Sequence, residues 1–173
     1  MTSKAKVWFG EYLDIQWVIP SSPYSVTGAS SGFGLCITEH ALQRNDKVIA
    51  TLRTPEVLSD LAAKHPDRLL VLRLDVTKPA EVTAAFAASR IKFGRIDVVV
   101  NNAGFLVVTE VEGTTEETAR SVFEVNFWGA SYVSREAVRF FREENKPMGG
   151  RLLQVSSAAG VLSAGGVAYY SAR

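Results

Sequence analysis

Three glycines in the stretch VTGASSGFG (26–34) are the first residues in this chain whose type and spacing suggest chemistry. Gly28, Gly32 and Gly34 follow the pattern G-x-x-x-G-x-G, between a short apolar approach and the helical pattern LCITEHALQRN. A chain that turns this tightly from strand to helix needs residues without a Cβ. Such a turn also lets backbone N–H groups approach a phosphate at the positive end of the following helix. Glycines alone would equally serve a plain tight turn. Their place between a strand and a helix points to nucleotide binding.

The turn needs a frame, and the sequence supplies one. Apolar runs at 46–53 (DKVIATLR), 68–76 (RLLVLRLDV), 96–104 (IDVVVNNAG) and 150–157 (GRLLQVSS) read as strands. They are apolar on both faces, as strands of a covered parallel sheet are. Between them lie amphipathic stretches. In 79–94, Val82, Ala85, Phe86 and Ser89 recur at i, i+3, i+4 and i+7, one face of a helix that opens near Pro79. Residues 114–146 read as one long helix, capped by Thr114 with Glu117 three residues on, and ended by Pro147 and Gly149. Alternating strands and helices predict an α/β fold, a doubly wound parallel sheet in three α/β/α layers.

Composition narrows the classes of function. The 173 residues suffice for one domain with a real core. Hydrophobic residues make up 47% and charged residues 21%, and the net charge is +1. That balance gives no electrostatic footprint for a nucleic acid or an anionic membrane. No apolar run is long enough to span a bilayer. The single cysteine, Cys36, excludes an internal disulfide and is read as a small packed apolar residue. A cytoplasmic location is expected. His40 and His65 have no partners at metal-ligand spacing, so no metal site is assigned.

Five motifs in register then carry a family resemblance. TGASSGFG, DVT (75–77), NNAG (101–104), Asn126 in EVNFWG, and VSSAAG…AYYSA occur in the order and spacing of short-chain dehydrogenases/reductases, over about residues 26–173. The resemblance implies a Rossmann fold, a nicotinamide cofactor, and interconversion of an alcohol and a carbonyl in a small-molecule substrate. It places the cofactor against Gly28, Ser30, Ser31, Gly32, Phe33 and Gly34. Asp75 and Val76 would meet the adenine, and Asn102, Ala103 and Gly104 would form the wall beside its ribose. Cofactor choice falls at the end of the second strand, where an acid selects NAD and an arginine accommodates the 2′-phosphate of NADP. Here ATLRTPE offers Arg53 and no acid. NADP(H) is therefore expected, with NAD(H) the lesser alternative and a solvated surface arginine the reading without function.

In the family a tyrosine is the acid/base, and a serine thirteen residues earlier holds the substrate oxygen. Ser157 and Tyr170 have that spacing, as do Ser156 and Tyr169. Ser157 and Tyr170 are assigned because Ser-Ala follows Tyr170, as in the family's Y-S-A-x-K. Asn126 resembles the helix asparagine that supports a relay water. The family lysine would be residue 174, one beyond Arg173. Free phenols ionise near pH 10, and bringing one to about 7 takes roughly 4 kcal/mol of preferential phenolate stabilisation, much of it from that lysine. The chain therefore reads as incomplete at its C-terminus, lacking the family's last strands. A catalytically inactive dinucleotide-binding fragment is the alternative function. A homo-oligomer of the family's kind is expected to be weakened.

The N-terminal 25 residues read as irregular, followed by a dinucleotide-binding domain over 26–173. Joining KVWF (6–9) directly to VTGASSGFG would give an uninterrupted first strand. The intervening residues 10–25 are read as a retained, translated intron, with a genuine loop insertion as the alternative. In either case the first strand would be interrupted, or rebuilt from PYSV or IQWVI.

Overall fold

A computed structural model describes residues 22–162 and 164–172. KVWF and most of the 10–25 segment lie outside the described residues. The first strand, β1 (Pro23–Thr27), comes from PYSVT, one of the two expected sources. It therefore begins three residues before the expected boundary at 26.

Around β1 the chain winds twice. One half adds α1 (Gly32–Gln43), β2 (Lys47–Leu52), a 3-10 turn at Pro55–Leu58, α2 (Ser59–Lys64) and β3 (Leu69–Arg73). The other half follows α3 (Pro79–Phe93) with β4 (Val98–Asn101), α4 (Glu116–Phe123), a π-helical stretch (Glu124–Gly129), α5 (Ala130–Glu143) and β5 (Arg151–Gln154). A 3-10 turn at Ala158–Gly160 and the short α6 (Ala168–Ser171) complete the described chain. The strand order is β3-β2-β1-β4-β5, and every pairing is parallel.

Alternation along the strands sends side chains into two cores. Val48, Ala50 and Leu52 of β2, with Val98 and Val100 of β4, pack with Ala41, Leu42 and Leu58 on one face. Ile49 and Val99 point the other way, toward Phe86 of α3 and Val133, Ala137 and Phe140 of α5. A fully buried side chain of this size contributes about 1.5–3 kcal/mol. Because both faces are covered, the inner strands are apolar throughout, as expected. The edge strand β5 departs from this: Leu152 is half-buried, while Leu153 and Gln154 are exposed.

The predicted face of α3 is borne out, since Val82, Ala85, Phe86 and Ser89 are its buried residues. The single long helix expected over 114–146 is corrected to two helices with a π-helical stretch between them. Its cap also shifts by one residue. Thr115 accepts a hydrogen bond from the Thr118 N–H, whereas the Thr114 hydroxyl donates to the Glu110 carbonyl. The helix stops at Glu143 because Asn145, fully buried, turns its amide to the sheet. Its Oδ1 accepts from Ile96 N–H, and its Nδ2 donates to the Ile96 and Gly149 carbonyls. Cys36 is exposed, contrary to expectation. The buried residues of α1 are Gly34, Thr38, Ala41 and Leu42, and position 36 falls on the opposite side of that helix.

Candidate active site at the carboxyl edge of the sheet

Parallel strands all end at the same edge of a sheet, so the loops leaving them gather there. Gly28 lies just past β1, Arg53 past β2, Asp75 past β3, Asn102 past β4 and Ser157 past β5. Residues scattered over more than a hundred positions are thereby brought to one side of the sheet.

The glycine turn is the most tightly built part. Gly28 has φ +66°, a conformation costly for a residue with a Cβ. Gly34 packs so closely under the turn that a Cβ there would collide with the Gly28 carbonyl and lie 2.8 Å from Asn102 Nδ2. The N-terminus of α1 has no side-chain cap and no acidic residue in its first turn. The positive end of a helix begun in this way fits a diphosphate. Ser30, Ser31, Gly32 and Phe33 are exposed there, where a nucleotide would lie.

The NNAG segment is fastened to that turn. Thr27 Oγ1 accepts from both the Asn102 and Ala103 N–H groups at 2.9 Å. Asn102 Nδ2 donates to the Thr27 carbonyl at 2.8 Å and to the Gly28 carbonyl at 3.4 Å. The Asn102 side chain thus shapes the turn rather than facing outward. Ala29 N–H also bonds the Thr51 carbonyl, tying the turn to β2. Thr27 opens the TGASSGFG motif, yet its type alone assigns it no role, since a threonine at a strand end looks like an ordinary strand residue.

Beside the turn, Arg53 is exposed and Asp75 half-buried. Burial pushes the Asp75 carboxyl up. The Thr77 N–H and hydroxyl, with the charges of Lys78 and Arg53, outweigh it and hold the group below the ordinary carboxylate range. The neighbouring Val76 is buried.

Asn126 lies in the π-helical stretch, and its amide is committed to the loop after Gly104. Oδ1 accepts from Phe105 N–H at 3.0 Å, and Nδ2 donates to the Phe105 carbonyl at 2.7 Å. Asn101, the first residue of NNAG, donates from Nδ2 to the Ala130 carbonyl, Ser134 Oγ and Gln154 Oε1, joining β4, α5 and β5. A buried asparagine inside an apolar strand is its sequence signal.

Ser157 caps the 3-10 turn, accepting from Ala159 N–H at 3.2 Å. Its own hydroxyl proton can still be donated. Tyr169 and Tyr170 are half-buried on α6, which packs against that turn and against α4. The Gly166 carbonyl, just ahead of α6, accepts from Thr109 N–H at 2.8 Å. The tyrosine corner is thus tied to the loop beyond NNAG.

A doubly wound sheet of order 3-2-1-4-5, with a glycine turn at the helix N-terminus beside its central strand, defines a Rossmann-type fold. Comparison narrows the class. Residues 24–173 match the family model of the short chain dehydrogenases, and the chain belongs to that family. An oxidoreductase of Botryotinia fuckeliana is 41% identical over 150 residues, covering 86% of this chain and 54% of the relative. An NADP-dependent 3-hydroxy acid dehydrogenase of Escherichia coli is 34% identical over 136 residues, covering 78% and 54%. The crystal structure of a short-chain dehydrogenase from Streptomyces avermitilis superposes with a TM-score of 0.81 at 39% identity, over 90% of this chain and 56% of that one. The chain spans about half the length of the curated relatives it matches. Among the described residues no helix is long and apolar enough to cross a membrane.

Proposed function

We propose that the chain carries the nucleotide-binding half and the serine–tyrosine pair of an NADP(H)-dependent oxidoreductase that interconverts an alcohol and a carbonyl. The observation that carries this reading is the convergence of Gly28–Gly34, Arg53, Asp75, Asn102 and Ser157 on one sheet edge, with α6 and its Tyr170 packed beside the Ser157 turn. Arg53 without a neighbouring acid at the end of β2 favours the 2′-phosphate. The relative from Escherichia coli, named as NADP-dependent, supports the same preference.

In this reading the N-terminal turn of α1 holds the diphosphate and Arg53 holds the 2′-phosphate. Bound nicotinamide supplies or takes the hydride. Ser157 donates its hydroxyl proton in a hydrogen bond to the substrate oxygen and orients it. In the reducing direction Tyr170 passes its phenolic proton to that oxygen as negative charge develops, and in the oxidising direction it takes the proton back. Asn126 acts through Phe105, holding the loop beside the reacting atoms.

Two measurements separate binding from chemistry. Titration with NADPH and NADH, followed by nucleotide fluorescence, tests the cradle, and NADPH is expected to bind the tighter. Reduction of a panel of ketones and aldehydes then tests the pair. Tyr170→Phe is expected to lower turnover by about 10²–10⁴ while leaving the NADPH dissociation constant unchanged. Failure of both nucleotides to bind ends the proposal. Turnover unaffected by Tyr170→Phe removes the tyrosine from it.

A further inference from the structure

We propose that Lys78 is a second cation for the adenosine 2′-phosphate, acting with Arg53; this rests on the NADP(H) reading above and identifies a group that offsets the carboxylates at its phosphate end. The placement comes from the backbone. Leu74 N–H bonds the Leu52 carbonyl at 2.9 Å, so the β2–β3 ladder runs on past Arg73 and brings Arg53 toward Asp75. Beyond Asp75 the chain curls back. Thr77 N–H and hydroxyl bond Asp75 Oδ1, and Lys78 N–H bonds the Asp75 carbonyl at 3.0 Å. Lys78 then stands directly ahead of α3, exposed.

The local charge count makes Lys78 matter. Arg73 and Glu81 form an ion pair at 2.9 Å, and the other Glu81 oxygen accepts from Asp75 N–H. Those two charges cancel. The cations that act on Asp75, which is ionised at neutral pH, are Arg53 and Lys78, and a second carboxylate, Glu56, stands three residues past Arg53. Neither cation makes a side-chain hydrogen bond or ion pair among the described residues. With Arg53 alone, the two carboxylates Asp75 and Glu56 would outnumber the cations around a group that bears about −1.5 to −2 at neutral pH. Lys78 offsets that second carboxylate and leaves the Arg53 guanidinium available to the phosphate. Arg53 supplies the directional, forked contact, and Lys78 supplies the field.

The test compares Lys78→Met and Lys78→Arg with the parent chain. Dissociation constants are measured for NADPH and NADH, and for adenosine 2′,5′-bisphosphate and ADP. Lys78→Met is expected to weaken NADPH and the bisphosphate by about fivefold, more at low salt, and to leave NADH and ADP within about twofold. Lys78→Arg is expected to recover most of the loss. Thermal unfolding of each variant establishes that it is folded. An equal loss for NADH and NADPH, or no loss for NADPH, overturns the assignment while leaving the nucleotide reading intact. A parent chain that binds NADH as tightly as NADPH overturns it together with the cofactor preference. A parent that binds neither ends both readings.

Discussion

The glycine turn and the serine–tyrosine corner share one edge of the sheet, yet they are held by different means. Around the turn, β1 has a neighbour on each side, Thr27 satisfies two N–H groups of NNAG, and Val26, Ala29, Val48 and Ile49 are fully buried. The corner hangs from β5, an edge strand paired only with β4 among the described residues. Leu153, Val161 and Leu162 around it are 44%, 87% and 63% exposed. The difference teaches that local hydrogen bonding and two covered sheet faces make the glycine turn nearly self-supporting. The serine–tyrosine corner has fewer such supports among the described residues.

Four perturbations break or sharpen that contrast. The largest effect is expected from Gly34→Ala, because no rotamer can move a Cβ away from the Gly28 carbonyl. It should cost about 3 kcal/mol, lower Tm by about 9 °C, and abolish measurable NADPH binding. Normal NADPH affinity in Gly34→Ala would show that the turn is not a rigid element.

Thr27→Val removes the shared acceptor for Asn102 and Ala103 N–H and leaves both donors unsatisfied. A loss of about 2 kcal/mol in urea unfolding at unchanged m is expected, with Thr27→Ser retaining most of the stability. Equal behaviour of the two variants would mean that the hydroxyl contributes nothing.

A smaller, pH-dependent effect belongs to Asp75. Its folded pKa lies below the unfolded value near 3.9, so its stabilisation is fully present above that pH and is lost as pH falls through the folded value. The gap in Tm between the parent and Asp75→Asn should be constant from about pH 7 to about 5 and close below about 4. A gap that persists undiminished at about pH 3 would contradict the role of the carboxylate.

Leu153→Lys should matter least to stability, shifting Tm by about 1 °C or less, because the side chain is already exposed. Its effect should appear in sedimentation. An apolar edge strand promotes association, and a lysine there suppresses it. Indistinguishable sedimentation of the two chains would show that the edge strand does not drive association at the corner.

Much of this was legible in residues 23–173 because it rests on short-range pattern. Periodicity identified the buried face of α3, and continuous apolar runs identified β2 and β4. Less legible were positions whose role depends on a partner far along the chain. Thr27 opens the TGASSGFG motif, but the task of its hydroxyl emerges only when residues 102 and 103 lie beside it. Cys36 was misplaced because only packing decides which side of α1 faces the sheet.

By itself the sequence determined the alternation of strands and helices, the glycine turn and the spacing of Ser157 from Tyr170. These are properties of neighbouring residues, set by backbone sterics and hydrophobic period. Only the tertiary structure decided that Asn102 faces the turn, that Asn126 grips Phe105, and that Arg53 and Lys78 both bear on Asp75. Those facts arise where distant segments meet. Hydrogen bonds and charges act over a few ångströms in space, whatever their separation along the chain.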